Sequence, residues 1–237
     1  MLRVALIGGT GMGDLLDGEF TEVATPFGSA FLIEQGDLYF LSRHGRGHKL
    51  PPHKINYRAN IWALREVGVQ AAIATFAVGS LRQSLPVGTL VVLDDFLDFT
   101  TARPKTFFDD KVQHTDMTQP YSHLVREELL AAGEDLGIML EARGCYVCTD
   151  GPRYETLSEV RMFAALGGDV VGMTGVPEVV LAKEIGIEYG ALAMVTNLGA
   201  GLSKEPLSHE EVARQVVEMQ QTVQKLLQKT LEKLSSR

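Results

Sequence analysis

A chain of 237 residues, 45% hydrophobic and 22% charged, has ordinary globular composition, which excludes a disordered or collagen-like polymer. Its 22 Lys and Arg against 30 Asp and Glu leave a formal charge of -8, a poor start for binding nucleic acid or an anionic membrane but no bar to a local anion pocket. No apolar stretch approaches the ~20 residues of a membrane span, and the opening MLRVALIGGTG is too short in apolar residues for a secretion signal, so a cytoplasmic address is expected.

In chain order the pattern is strand, glycine turn, helix, repeated. Residues 2–7 form an apolar run ending at Gly8, Gly9, Thr10 and Gly11, as expected of a buried strand that opens onto a turn. Residues 56–67 place Tyr57, Ile61 and Leu64 on one helical face and stop at Gly68. Residues 71–77 are again apolar and end at Gly79 and Ser80. The segment around Cys145 and Cys148 is β-branched and aromatic, which reads as a strand. A Thr156 to Glu159 capping box opens a helix that ends near Gly167 and Gly168. Pro177 suits the first turn of a helix reaching Gly186. Residues 191–196 are a third apolar strand, leading into Asn197, Gly199 and Gly201. Ser208 and Glu211 form a second capping box, behind which Val212, Val216, Val223, Leu227, Leu231 and Leu234 follow helical spacing. Strands apolar throughout imply a sheet covered on both faces. The reading is one α/β domain over residues 1–237, a mixed sheet flanked by helices, with no internal repeat or linker.

Ligands of open α/β sheets bind at the carboxyl ends of the strands. Collected there are Thr10 among glycines, a run from Arg43 to His48 holding two Arg and two His, the stretch from Ala77 to Ser80, and Met173 with Thr174. Hydroxyls, guanidinium, imidazole and free amides suit a phosphate in an otherwise acidic chain. The first glycine run is either a structural turn or a small-anion loop. It fails the dinucleotide pattern, since Asp14 stands where the third glycine belongs, and no Walker lysine is present. Arg43 and His44 read either as a solvated basic loop or as an anion site. Tyr154 and Glu155 before a helix start, with Asn197 at a strand end, suggest a slot for a flat polar heterocycle. Two cysteines cannot close a four-ligand zinc site, and their spacing points them to opposite faces of a strand, so buried structural thiols are expected over a redox pair.

Together these residues make the chain resemble the nucleoside phosphorylase family that joins trimeric purine nucleoside phosphorylase to methylthioadenosine phosphorylase. The likeness rests on IGGTG at 7–11, RHGRGH at 43–48, PHKINYRANIWAL at 52–64, TTARP at 100–104, GPRYET at 151–156 and GMTGVPEVVLAKE at 172–184. It implies a nucleoside phosphorylase-like fold, and a phosphate site of Thr10, Arg43, His44, the Ala77 amide and Thr174. Met173 and His48 would lie by the ribose. Tyr154 would line the base pocket, with Glu155 and Asn197 reading the base edge. His114 matches a position that reaches into a neighbouring subunit's site, which implies a homotrimer or a dimer of trimers.

Three departures from the methylthioadenosine branch bear on substrate. Asn197 stands where that branch has the first Asp of a D-x-D, and Glu155 replaces a small hydroxyl residue. An ionised carboxylate only accepts hydrogen bonds, so it would repel a 6-keto oxygen. An Asn amide can donate to O6 or N7 while Glu155 accepts from N1–H. This favours 6-oxopurines. His209, at the start of the last helix, resembles the residue that bonds a 5′-hydroxyl, favouring inosine or guanosine over methylthioinosine; its other reading is a plain first-turn residue. Phe76 occupies the place of a phosphate-side Thr.

The expected reaction is phosphorolysis of 6-oxopurine nucleosides to free base and ribose 1-phosphate, with Asn197, Glu155 and His44 as the catalytic group. Phosphate is a co-substrate, and neither a metal nor an organic cofactor is expected. The alternatives are a methylthioinosine phosphorylase, a methylthioadenosine phosphorylase disfavoured by Asn197, and a purine-binding module without catalysis.

Overall fold

In a computed structural model the chain is described over residues 1–9, 18–203 and 208–237, with the backbone alone at His209. Thr10, Gly11 and Asp14 therefore lie outside the described residues.

The elements in order are β1 (Val4–Gly8), β2 (Thr21–Thr25), β3 (Gly28–Gln35), β4 (Leu38–Ser42), α1 (Tyr57–Glu66), β5 (Ala71–Ser80), β6 (Leu90–Val92), β7 (Asp95–Asp98), α2 (His123–Leu136), β8 (Cys145–Cys148), α3 (Leu157–Ala165), β9 (Val170–Gly172), α4 (Gly175–Glu184), β10 (Glu188–Leu198) and α5 (His209–Ser235). All ten strands belong to one mixed sheet, whose main path runs β2-β3-β4-β1-β5-β9-β8-β7. β10 pairs in parallel with β5 along its length and carries β6 antiparallel on its other side.

The three runs that are apolar throughout became the centre of this sheet. β1 is buried at every position, and β5 at nearly every one, because helices cover both faces. One core layer packs Ile61 and Leu64 of α1 and Val179 and Leu181 of α4 against Ala72, Ala74, Ala191 and Ala193. The opposite layer sets Val223, Leu226, Leu227 and Leu234 of α5 and Val125 and Leu129 of α2 against Val4, Leu6, Ile73 and Leu192. Each Val, Leu or Ile among them contributes ~1.5–3 kcal/mol on burial. Short residues along β5 and β10 let the helices approach closely on both sides.

The helix starts match their caps. Asn56 accepts from the Ala59 amide, and Ser208 from the Glu211 amide. Thr156 and Glu159 form the reciprocal capping box. The antiparallel ribbon of β2, β3 and β4 extends one edge, with Leu32 opposite Leu41 and Thr21 opposite Leu32.

Two features of the sheet position the site. β5 outruns β1, whose last partner is Ala74, and its far end pairs Gly79 and Ser80 antiparallel to β9. The sheet forks there. On the other flank of β5, the register with β10 slips so that Val195 faces Val78 and Asn197 faces Gly79, leaving Thr196 as a bulged residue.

Candidate functional site

A cleft of about 570 Å³ opens at this fork, a size that suits a small-molecule ligand. Its walls come from the ends of β4, β9 and β10, the outer half of β5, and the loops after β1, β4 and β8.

Arg43 lies in the floor and is only 1% exposed. Its backbone amide donates to the Gly8 carbonyl, which ties the end of β4 to β1. Its Nε and Nη2 each donate at 2.8 Å to a different oxygen of Glu178, which is 0% exposed. Nη1 donates to the Thr75 carbonyl at 2.9 Å, and the Phe76 ring lies 4.6 Å from the guanidinium carbon. Tyr189 donates to Glu178 at 2.7 Å from the far side. Burial by itself would weaken the guanidinium's hold on its proton, but Glu178 more than offsets this and raises the pKa. Gly9 is required beside it, since a Cβ there would stand 2.8 Å from Nη1. The predicted phosphate arginine is thus a buried, fully oriented ion pair, not a solvated loop residue.

His44 is 7% exposed, and burial, followed by Arg43 and His48, lowers its pKa to about 4, so the ring is neutral at pH 7. Its Nδ1 lies 2.8 Å from the Leu50 carbonyl, which can only accept. The proton therefore sits on Nδ1, and Nε2 carries a lone pair. The His48 ring lies against it, with centroids 4.1 Å apart.

Thr174 caps α4 without using its hydroxyl for the cap. Its amide and that of Gly175 donate to the Tyr146 hydroxyl, at 3.1 and 3.3 Å, and the Val176 amide donates to the Cys148 sulfur. The first amides of α4 are therefore used internally, and what Thr174 offers the cleft is its side chain. Ala77 and Met173 line the cleft with it.

At the other end stand Tyr154, Glu155, Thr196 and Asn197. The Thr149 hydroxyl donates to Glu155 Oε1 at 2.9 Å. Burial raises the Glu155 pKa, while that hydrogen bond acts against the rise. Asn197 donates one amide hydrogen to the Leu198 carbonyl at 3.2 Å, and its Oδ1 lies 3.1 Å from the Thr196 hydroxyl. Among the described residues the second amide hydrogen has no partner, which leaves it for a ligand. Gly79 leaves the room for this amide, as a Cβ there would be 3.0 Å from Nδ2.

The structure thus brings Arg43, His44, His48, Ala77, Tyr154, Glu155, Met173, Thr174 and Asn197 around one cleft. His114 is exposed and is not part of the lining. Thr10 lies outside the described residues, as does the His209 side chain. Sequence reasoning missed Glu178 and Tyr189, which sit far along the chain from Arg43 and look like core residues of a helix and a strand. It also missed Thr75, whose buried hydroxyl has no hydrogen-bond partner among the described residues, and Val212 in the cleft wall. The cysteines are free, and burial pushes their thiols up, Cys145 to about 12 and Cys148 to about 11. Thiols so reluctant to ionise are structural, as the strand reading expected.

The Phosphorylase superfamily model matches residues 3–232. A "6-oxopurine nucleoside phosphorylase" of Pyrococcus furiosus is 44% identical over 96% of this chain and 91% of its own length. A "Probable S-methyl-5'-thioinosine phosphorylase" of Methanopyrus kandleri is 45% identical over 98% and 92%. Among solved structures, methylthioadenosine phosphorylase from Schistosoma mansoni in complex with adenine superposes with a TM-score of 0.94 at 33% identity, over 100% of this chain and 93% of that one.

Proposed function

Because the chain belongs to the phosphorylase superfamily, matched from residue 3 to residue 232, we propose that it is a nucleoside phosphorylase that splits 6-oxopurine nucleosides with inorganic phosphate. The products are the free base and ribose 1-phosphate. The observation that carries this reading is one cleft lined by an amide, Asn197, and a carboxylate, Glu155, together with Arg43 and His44. The relatives named for 6-oxopurine nucleosides support it.

Phosphate takes the Arg43 end, with the Thr174 hydroxyl, the Ala77 amide and Thr10 as further ligands. Neutral His44 offers its Nε2 lone pair to the hydroxyl of hydrogen phosphate. Met173 and His48 flank the ribose. As the bond from C1′ to the purine nitrogen breaks, its electron pair leaves with the base, which takes up the proton that hydrogen phosphate gives up, and positive charge grows on the sugar. A phosphate oxygen, held beside C1′, stabilises that charge and then forms the new bond. Asn197 donates its remaining amide hydrogen to N7 or O6 of the departing base, while Glu155 accepts from N1–H. No metal or organic cofactor enters these steps.

We read the assembly as a homotrimer or a dimer of trimers in the cytoplasm, with His114 completing a neighbour's site, a reading that draws on His114's absence from the lining of its own cleft. A second substrate, methylthioinosine, is favoured by one feature: Val212 and Leu50 put apolar side chains in the wall, and a methylthio group would bury against such a surface.

The test is phosphate-dependent base release from inosine, guanosine, adenosine, methylthioinosine and methylthioadenosine. Inosine and guanosine should be cleaved and adenosine should be poor, by ~10⁴ if the mispaired edge leaves buried groups unsatisfied. The ratio of inosine to methylthioinosine decides the 5′ group. Asn197→Asp should shift preference toward adenosine, and an unchanged ratio of kcat/KM in that variant would overturn the role given to Asn197.

A further inference from the structure

Resting on the reading of Glu155 as the acceptor of the purine's N1–H, we propose that Thr149 is a specificity-determining positioning residue: its hydroxyl fixes one oxygen of Glu155 so that the other is presented to the base. The Thr149 hydroxyl donates to Oε1 at 2.9 Å, and a hydroxyl that donates to a carboxylate stabilises its acceptor-only form. Thr149 itself cannot drift. Its amide donates to the Gly172 carbonyl at 3.0 Å, which joins it to the end of β9. Its carbonyl accepts from Arg103 Nη2 at 3.3 Å, and the same guanidinium holds the carbonyls of Asp150 at 3.0 Å and Val176 at 2.6 Å. Buried Arg103 thereby fastens the start of the loop that carries Glu155 to α4. The hydroxyl of Thr149 extends that rigid frame to the carboxylate.

The frame matters because the two protonation states of Glu155 read different bases. As a carboxylate it accepts from the N1–H of hypoxanthine or guanine. As a carboxylic acid it donates, which suits the bare N1 of adenine. Its surroundings pull both ways. Burial favours the acid, as does Glu159, whereas Thr149, Glu155's own backbone amide and Arg153 favour the carboxylate. Glu159 and Arg153 are locked to each other at 2.7 and 2.8 Å, so they act on Glu155 as an opposed pair. Tyr154 faces the carboxylate from the same loop, and Glu210 of α5 faces Tyr154. Thr149 is the group that most opposes the effect of burial.

The test compares wild type, Thr149→Val, which removes the hydroxyl at nearly constant shape, and Thr149→Ser, which restores it. Thr149→Val should lower the inosine-to-adenosine ratio of kcat/KM about tenfold, the worth of one charge-assisted hydrogen bond. The acid limb of its inosine profile should move to higher pH, and the phosphate KM should stay constant. Thr149→Ser should recover both the ratio and the limb. 1-Methylinosine, which lacks N1–H, should be insensitive to the substitution. If Thr149→Val does not fold, the same comparisons are made with Thr149→Ala. Unchanged ratio and acid limb in a folded variant overturn the role of Thr149 and leave the function standing. If wild type releases no base from inosine, the reading of function fails first.

Discussion

A guanidinium buried in the floor of an anion cleft loses its water, and that loss is several kcal/mol for an isolated ion. Here Glu178 returns it through two parallel hydrogen bonds, and Tyr189 holds Glu178 in turn. Glu178→Gln should therefore destabilise the fold by ~3–5 kcal/mol in urea denaturation, because it leaves Arg43 charged and unpaired. In whatever variant folds, the phosphate KM should suffer more than the nucleoside KM. His44 sets a pH dependence. Its pKa is about 6.5 unfolded and about 4 folded. The unfolded chain then binds more protons between those values, and stability falls as pH drops through that window. From pH 7 to pH 5 the loss should be about 2 kcal/mol, read by denaturation at both pH values and smaller in His44→Asn. Residue chemistry was partly legible beforehand: Arg43, His44, Glu155 and Asn197 stand in short polar runs that interrupt apolar ones. Glu178 was not, because a carboxylate inside an apolar helix looks the same whether it meets water or a guanidinium 135 positions earlier.

Among the elements, α3 begins two residues after Glu155, with its cap Thr156 between them, so its first turn steers the base end of the cleft. Thr156 and Glu159 close the capping box, and Glu159 also holds Arg153. Thr156→Ala should cost about 1 kcal/mol and raise the KM for inosine while leaving that for phosphate alone, which steady-state kinetics with each substrate varied would show. The central strands were readable because burial on both faces writes itself as an unbroken apolar run. The ribbon of β2, β3 and β4 was not: residues 21–35 mix exposed and buried positions with no steady alternation, and pairing across the ribbon rather than sequence sets the register. Short β6, β7 and β9 give three or four residues each, too few for any periodicity to declare itself. α2 was overlooked for a related reason, since Gly133 lies inside it and a Cβ there would crowd Leu140.

For the whole molecule, His114 is exposed and stands outside the lining of its own cleft. If it serves a neighbour, sedimentation equilibrium should give three or six times the mass of one chain. His114→Ala should then raise the nucleoside KM roughly tenfold, the scale of one lost hydrogen bond, with the phosphate KM unaffected. A monomer at working concentration would end that assignment. The slip of one residue where β10 passes β5 has its own corollary. Bulges are rare between parallel strands and gather at active sites. Removing Thr196 would close the bulge with Asn197 still across from Gly79, and would take away the hydroxyl that donates to Asn197 Oδ1. A single-codon deletion at this point should therefore leave the strand pairing intact and still cost the purine its oriented amide.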